Sequence, residues 1–420
     1  MREHVQASVR THAALALAAL PETIAGIELD PNAAWLANVI LASEALPLLA
    51  AVSDRQKKPI PALVTCGDGL VTGERAARVE LQNPPYGRVR LSVEDRERWA
   101  HVLYGHANLY SLFMAAAVED LDQYGVLAAL VPTSFTSGRY FENLRSYLAT
   151  NARPLNVAFV VERDAFESVL QETCLVTFGR RKKQFTGVMA VNGHAQSVAR
   201  VKVPTTKLPW LLPRRADDAV VAAAAATLPL RLVDLGYACS TGPLVWNRRA
   251  ADLKARPHRD SVKVVWAGDI EDGKLHQDKS RNAMRYLKLR PNEADAFMVR
   301  TAPAVLVQRT TAPEQTRRLV TARLDDTTLT AWGGRVVVEN HVNVLHPVVE
   351  NPLLDLDTLA AVLATETVDR VVRSLSGSVA VSAYEIGAVP FPPADVLAEW
   401  KSLRGVDLER AVADAYGPNR

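Results

Sequence analysis

The residues best suited to chemistry in this chain are Asn83-Pro84-Pro85-Tyr86. Two consecutive prolines fix φ and hold the residue before them extended, so the Asn83 side chain and the Pro84 carbonyl are presented rigidly toward one spot. Both are acceptors. Such a pair can hold the two N–H groups of an exocyclic amine and aim its nitrogen lone pair at an electrophile, which is catalysis by positioning. Tyr86 then offers a flat face to a planar substrate. By itself the tetrapeptide is equally a proline-rich turn with a capping asparagine, so its placement carries the weight. It stands just after a strand predicted over Arg78–Leu81, and open α/β sheets bind ligands beyond the carboxyl ends of their strands.

Two acidic residues stand at matching places upstream. Glu28 ends the strand predicted over Thr23–Leu29, and Asp30 follows as the cap of a helix beginning near Asn32. A carboxylate there can accept both hydroxyls of a ribose. Asp68, in Cys66-Gly67-Asp68-Gly69, follows the strand predicted over Ala62–Cys66 and could accept from an adenine amino group, with the glycines allowing close approach. Each acid alone is more often a cap or a turn residue. Three features at the ends of successive strands, in this order, form a far more specific pattern.

The elements that must position them alternate. Helices are expected near 5–20, 32–50, 107–123 and 138–149, with further strands over Val126–Val131, Val157–Val161 and Thr173–Phe178. This rhythm predicts an α/β fold with a doubly wound, mostly parallel sheet. From about residue 205 the texture changes. Pro209, Pro213 and a helix near 215–227 lead into short strands over Val262–Trp266, Ala304–Gln308 and Arg335–Val338, then a helix near 356–374. The expected division is a first domain over 1–205 and a second, α+β domain over 206–420.

Length and composition set the bounds. The chain has 420 residues, 48% of them hydrophobic and 23% charged, which excludes a disordered or fibrous protein. Its three cysteines, Cys66, Cys174 and Cys239, are widely spaced, giving neither a disulfide framework nor a zinc site and pointing to a reducing, cytoplasmic compartment. The longest apolar runs, Ala13–Leu20 and Ala219–Leu228, are too short for a bilayer, so no membrane span or signal peptide is expected. His341 and His346 are five apart, would face opposite sides of one strand, and suggest no metal. The net charge of +3 hides an asymmetry: residues 180–350 hold 28 Lys and Arg against 16 Asp and Glu, leaving 21 against 30 elsewhere. Such a basic segment is either a solvated face or the footprint of a polyanion. Arginine doublets (Arg180-Arg181, Arg214-Arg215, Arg248-Arg249, Arg317-Arg318) favour phosphate, whose geometry the guanidinium fork matches.

Together these segments resemble the N6-adenine DNA methyltransferases of restriction-modification systems, of the arrangement in which a target-recognition domain follows the catalytic domain. The likeness runs through IELDP, CGDG and NPPYG, then NLYSLFMAAAVEDL (108–121), YGVLAALVPTSF (124–135) and AFESVLQETCLVTFGRRKK (165–183), and continues weakly beyond. It implies a Rossmann-like catalytic domain with S-adenosylmethionine as cofactor, held by Glu28 and Asp68. It implies that Asn83 and Pro84 bind the target amine and that Tyr86 and Phe166 stack on an adenine flipped out of duplex DNA. Asn108 and Tyr110 are family-typical residues near the cofactor or structural ones. In the second domain Thr241-Gly242, Trp266–Ile270, Gln308–Thr311 and Glu339–Asn343 match the family's recognition domain loosely. Gln308 and Arg309 become candidates for DNA contact, beside the phosphate candidates Arg317 and Arg318.

One departure from the family matters. The glycine-bearing loop after the first strand, which in the family holds the methionine part of the cofactor, is absent, and no GxG occurs in residues 1–30. The central first strand is therefore expected to be missing, leaving its neighbours with unpaired edges. Partners implied are double-stranded DNA and a cognate restriction endonuclease or an upstream methyltransferase fragment. The alternatives that stay open are a non-catalytic DNA-binding or specificity subunit, a truncated remnant, and a methyltransferase acting on protein glutamine or RNA bases.

Overall fold

The computed structural model describes residues 5, 6, 9, 12–71, 76–160, 172–181, 183–271, 273–277, 282–290, 295–311, 315–377 and 380–417. The chain divides into two compact units, 1–75 and 76–420.

In the first unit α1 (Ala13–Thr23) leads to β1 (Gly26–Glu28), and α2 (Pro31–Ala51) leads to β2 (Val64–Cys66). The expected cap is in place: the Asp30 carboxylate accepts from the backbone of Asn32 (2.7 Å) and Ala33 (3.0 Å), and Pro31 opens the helix. β1 pairs with β2 in parallel, from Gly26 opposite Val64 to Glu28 opposite Cys66. Such a short ladder needs help, and Asn38 of α2 supplies it. Its amide oxygen accepts from the Leu63 and Val64 N–H groups (2.7 and 2.9 Å), and its NH2 donates to the Val64 carbonyl (2.8 Å). Small apolar clusters, such as Leu20, Ala45 and Leu63, form the core. Contrary to the expectation from the shorter runs, α2 has the length and apolarity of a membrane span. It leaves Trp35, Leu36 and Ile40 exposed, while Asn38 in its middle is spent on β2.

In the second unit the strands β3 (Ala77–Gln82), β4 (Leu121–Pro132), β5 (Arg153–Val160), β6 (Thr173–Gly179), β7 (Thr186–Asn192) and β8 (His194–Val201) form a sheet in the order β8-β7-β5-β6-β4-β3. The α/β class is as expected, but the sheet is mixed. β3/β4 and β5/β7 are parallel, whereas β6 runs antiparallel to both β4 and β5 between them. The hydrophobic pattern could not show this, because a central strand buries the same side chains whichever way it runs. Leu127, Ala129 and Val131 of β4 and Val176 and Phe178 of β6 are all buried. α3 (Leu109–Asp120) buries Tyr110, Leu112, Met114 and Val118, and α4 (Glu142–Asn151) buries Leu144 and Leu148. β3 is an edge strand with Val79 and Leu81 exposed.

Beyond Val201 the described residues form a four-stranded antiparallel sheet, Tyr237–Thr241, Val342–Pro347, Ala304–Gln308 and Thr321–Leu324 in that order, and a five-stranded mixed one. The helix expected near 356–374 is two, Leu356–Leu363 and Glu366–Leu375, because Thr365 caps the second by accepting from the Val368 N–H. Helices, strand faces and the large side chains Tyr237, Trp400 and Tyr416 share one core. The expected boundary near 205 falls between the sheets but inside this unit, where the buried Arg145 guanidinium of α4 ties several segments together. It donates to the carbonyls of Phe135 (2.9 Å), Gly138 (2.6 Å), Lys207 (2.8 Å) and Leu208 (3.2 Å), and to the Tyr384 hydroxyl (2.9 Å).

Candidate active site

Asn83-Pro84-Pro85-Tyr86 emerges directly from the end of β3, as the spacing predicted. Pro84 is buried and anchors the turn, while Asn83 and Pro85 are exposed. Tyr86 is half-buried, and its hydroxyl donates to the Leu130 carbonyl of neighbouring β4 (3.0 Å). Burial, with Cys174 nearby, pushes this hydroxyl above its ordinary pKa, so Tyr86 stays protonated and serves as a ring on a pinned stem rather than as a base. The Tyr110 ring meets it edge to face at 6.2 Å and 82°. Tyr110 is buried, hydrogen-bonds Ser134 after β4 (3.0 Å) and packs against Phe141 at 5.2 Å.

Asn108 stands at the N-terminal cap position of α3 but caps nothing there. Its side-chain oxygen instead accepts from the Gly87 N–H (3.4 Å), and the Gly87 carbonyl accepts from the Leu109 N–H (2.9 Å). The short antiparallel pair Arg88–Val89 with Ala107–Asn108 completes the clamp. Of the two roles open for Asn108 and Tyr110, the structure therefore displays a structural one: both hold the tetrapeptide's loop in shape. Sequence reasoning missed a further support, the Glu172 carboxylate, which accepts from the Thr133 hydroxyl (3.0 Å) and pairs with Arg214. The Arg214 guanidinium lies 3.6 Å from the Phe159 ring centre. Nothing local in sequence announces a contact 42 residues apart. Phe166 lies outside the described residues.

In the first unit Glu28 and Asp68 fall at the carboxyl ends of the paired strands β1 and β2, since Glu28 is opposite Cys66. One Glu28 oxygen accepts from the Asp30 N–H (3.0 Å), and one Asp68 oxygen accepts from the Leu70 N–H (2.9 Å). Two carboxylates on adjacent strand ends are an acceptor pair that fits the O–H groups of a ribose diol and the N–H groups of an adenine amine.

The candidate DNA contacts fare differently from one another. Gln308 is a brace: its side-chain NH2 donates to the Ala267 (3.0 Å) and Ile270 (2.9 Å) carbonyls. Arg309 donates to the Asn340 carbonyl (3.3 Å). Arg318 is 1% exposed and donates to the Thr311 carbonyl, so it is no surface cation. Arg317 is half-buried, with one nitrogen on the Ala364 carbonyl (2.6 Å). The other doublets divide in the same way. Arg180 holds the Val118 carbonyl, Arg214 pairs with Glu172, and Arg249 pairs with Asp252 and Asp295. Arg181, Arg215 and Arg248 are exposed.

A sheet of this mixed α/β kind, with an acceptor-bearing Asn-Pro-Pro-Tyr turn at a strand's carboxyl end, defines a protein built to hold and orient an amine beside an α/β sheet. The family description Eco57I restriction-modification methylase matches residues 81–166, which contain the tetrapeptide together with Asn108, Tyr110 and Leu130. Over 337 residues the chain is 26% identical to the type II methyltransferase M.PstI of Providencia stuartii, covering 76% of this chain and 65% of that protein. It is 22% identical over 330 residues to the type II methyltransferase M.BsuBI of Bacillus subtilis, with the same shares. The chain thus spans just under two thirds of the length of these relatives. Its fold is like that of the type IIL restriction-modification enzyme MmeI, solved in complex with DNA, at a TM-score of 0.51 and 12% identity over 94% of this chain and 64% of that one. Over these stretches the chain is similar to restriction-modification methyltransferases.

Proposed function

We propose that this chain carries out site-specific methylation of DNA at N6 of adenine, with S-adenosylmethionine as methyl donor. The observation that carries the reading is the Asn83-Pro84-Pro85-Tyr86 turn at the end of β3, stiffened by Tyr86 on Leu130 and by Asn108 on Gly87. An amine nitrogen is a poor nucleophile while its lone pair is delocalised into the ring. Two acceptors held rigidly, the Asn83 amide oxygen and the Pro84 carbonyl, take its N–H groups and favour the arrangement in which the lone pair is available. Tyr86 stacks on the ring, and stacking offsets the cost of taking a base out of the duplex. Phe166 is proposed as the second stacking face. The cofactor supplies an electrophilic methyl group when bound, and Glu28 and Asp68 are the residues that would hold its ribose and adenine.

DNA is the partner that the uneven charge supports. Its phosphates would meet the exposed doublet members Arg181, Arg215 and Arg248 and the half-buried Arg317. Arg309 remains a candidate near the Asn340 backbone. A cognate restriction endonuclease belongs to the same reading.

The test is transfer of labelled methyl from S-adenosylmethionine to unmethylated duplex DNA, followed by nucleoside analysis. N6-methyladenine is expected. Asn83→Ala should abolish transfer, by about a hundredfold or more for the loss of a group acting in the transition state, while DNA binding stays within about twofold. Label in cytosine, or equal loss of transfer and binding in Asn83→Ala, would overturn the assignment.

A further inference from the structure

The motifs of the basic half that a DNA footprint leaves unexplained come together around one cavity of about 570 Å³. Its walls include Trp246, Trp266, Asp269, Asn282, Glu339 and His341. Each motif has a part in building it. Gly242 closes on Val338 and Glu339 so tightly that a Cβ there would fall on the Glu339 carbonyl oxygen. Gln308 ties the Ala267 and Ile270 carbonyls, which fixes the segment from Trp266 to Ile270. Within that segment Asp269 accepts from the Trp266 N–H (2.9 Å) and pairs with the buried Arg285 (2.6 Å). The Trp266 indole N–H donates to the Met284 carbonyl (2.8 Å).

Two features say what such a cavity takes. Trp246 is 45% exposed, a large aromatic face left open at the cavity. Opposite in character, the Glu339 carboxylate is buried, and both of its oxygens are spent on His341: one on the backbone N–H (2.9 Å) and one on ring Nδ1 (2.6 Å). That bond fixes the ring and turns the Nδ1 N–H toward the carboxylate, so that in the neutral imidazole Nε2 is the acceptor. The His341 side chain is 47% exposed. The lining is thus aromatic and acceptor-bearing, with its acids already paired, a poor match for phosphate and a good one for a flat ring carrying an amine. The volume admits a whole ring, whereas groove readout of a base edge is made from a convex surface.

We propose that this cavity is a second nucleobase pocket, which receives an amine-bearing base of the bound DNA, stacked on Trp246 with its exocyclic N–H donating to His341. This rests on the reading of the basic half as DNA-binding, and it adds a base-reading site remote in sequence from the Asn83 turn.

The experiment uses the full chain labelled with 5-fluorotryptophan, whose Trp246 and Trp266 fluorine resonances are assigned with Trp246→Phe and Trp266→Phe. Adenosine and cytidine, titrated separately, should shift the Trp246 resonance, and thymidine, which lacks an exocyclic amine, should not. His341→Ala should remove the shift while an unmoved Trp266 resonance reports that the cavity is still folded. In duplex binding, Trp246→Ala should cost on the order of tenfold in affinity with an unchanged salt slope. A Trp246 resonance unmoved by every nucleoside, or moved equally by thymidine, would overturn the proposal. Methyl transfer without a Trp246 shift would sink the pocket alone, and a Trp246 shift without methyl transfer would sink only the methyltransferase reading.

Discussion

Asn38 and Arg145 perform the same task in the two units with different means. Each is a helix side chain that satisfies backbone groups which no strand ladder reaches. Asn38 clips a single partner, the start of β2, and sits partly exposed. Arg145 is fully buried and gathers segments from Phe135, Gly138, the stretch at 207–208 and Tyr384. The difference shows how a site's stiffness follows the reach of its supports. Glu28 and Asp68 stand on a two-stranded ladder held by one amide, whereas Asn83 stands on a six-stranded sheet whose flanking segments are cross-linked. A buried charge with all its acceptors in place is costly to disturb, because each carbonyl loses its partner in a dry setting.

That contrast can be broken experimentally. Arg145→Met should destabilise the chain by about 3–5 kcal/mol, the cost of breaking a buried charged network, read as a drop in the denaturant midpoint with the 76–420 unit unfolding as a whole. A loss under 1 kcal/mol would mean that the carbonyls find other partners. Asn38→Ala should cost less, about 1–3 kcal/mol for the stranded Leu63 and Val64 groups, and the loss should stay local. Hydrogen exchange would show it as faster exchange at the Leu63 and Val64 amides with residues 121–132 unchanged. Global acceleration would end the distinction between the two brackets. The smallest effect sharpens the division within the arginine doublets. Arg317→Ala should lower the slope of log affinity against log salt by about 0.9 with little change in stability, as expected for one phosphate contact. Arg318→Ala should do the reverse, lowering stability because it leaves the Thr311 carbonyl without its buried partner.

Much of the positioning was legible beforehand. β3 was expected over Arg78–Leu81 and runs over Ala77–Gln82, and Asp30 caps α2 as its place before the helix expected near Asn32 implied. Local rules suffice there, since a cap or a proline acts within a few residues. Asn108 shows their limit. It occupies a cap position with a capping residue type, yet its side chain goes to Gly87 across a turn. The single helix expected near 356–374 failed for a local reason that was available, a threonine followed by Glu366 in the first turn of a new helix.

Residue types and their order along the chain were enough to mark the Asn-Pro-Pro-Tyr turn, the two strand-end acids and the basic half, because those depend on dihedral restriction, periodicity and charge. The tertiary structure alone decided that β6 runs antiparallel between β4 and β5, which arginine of each doublet is spent on carbonyls and carboxylates, and that Trp246, Glu339 and His341, nearly a hundred residues apart, line one cavity. Direction, pairing and convergence arise from contacts between residues distant in sequence, and no local pattern records whether a cation has found its partner or which walls a pocket will share.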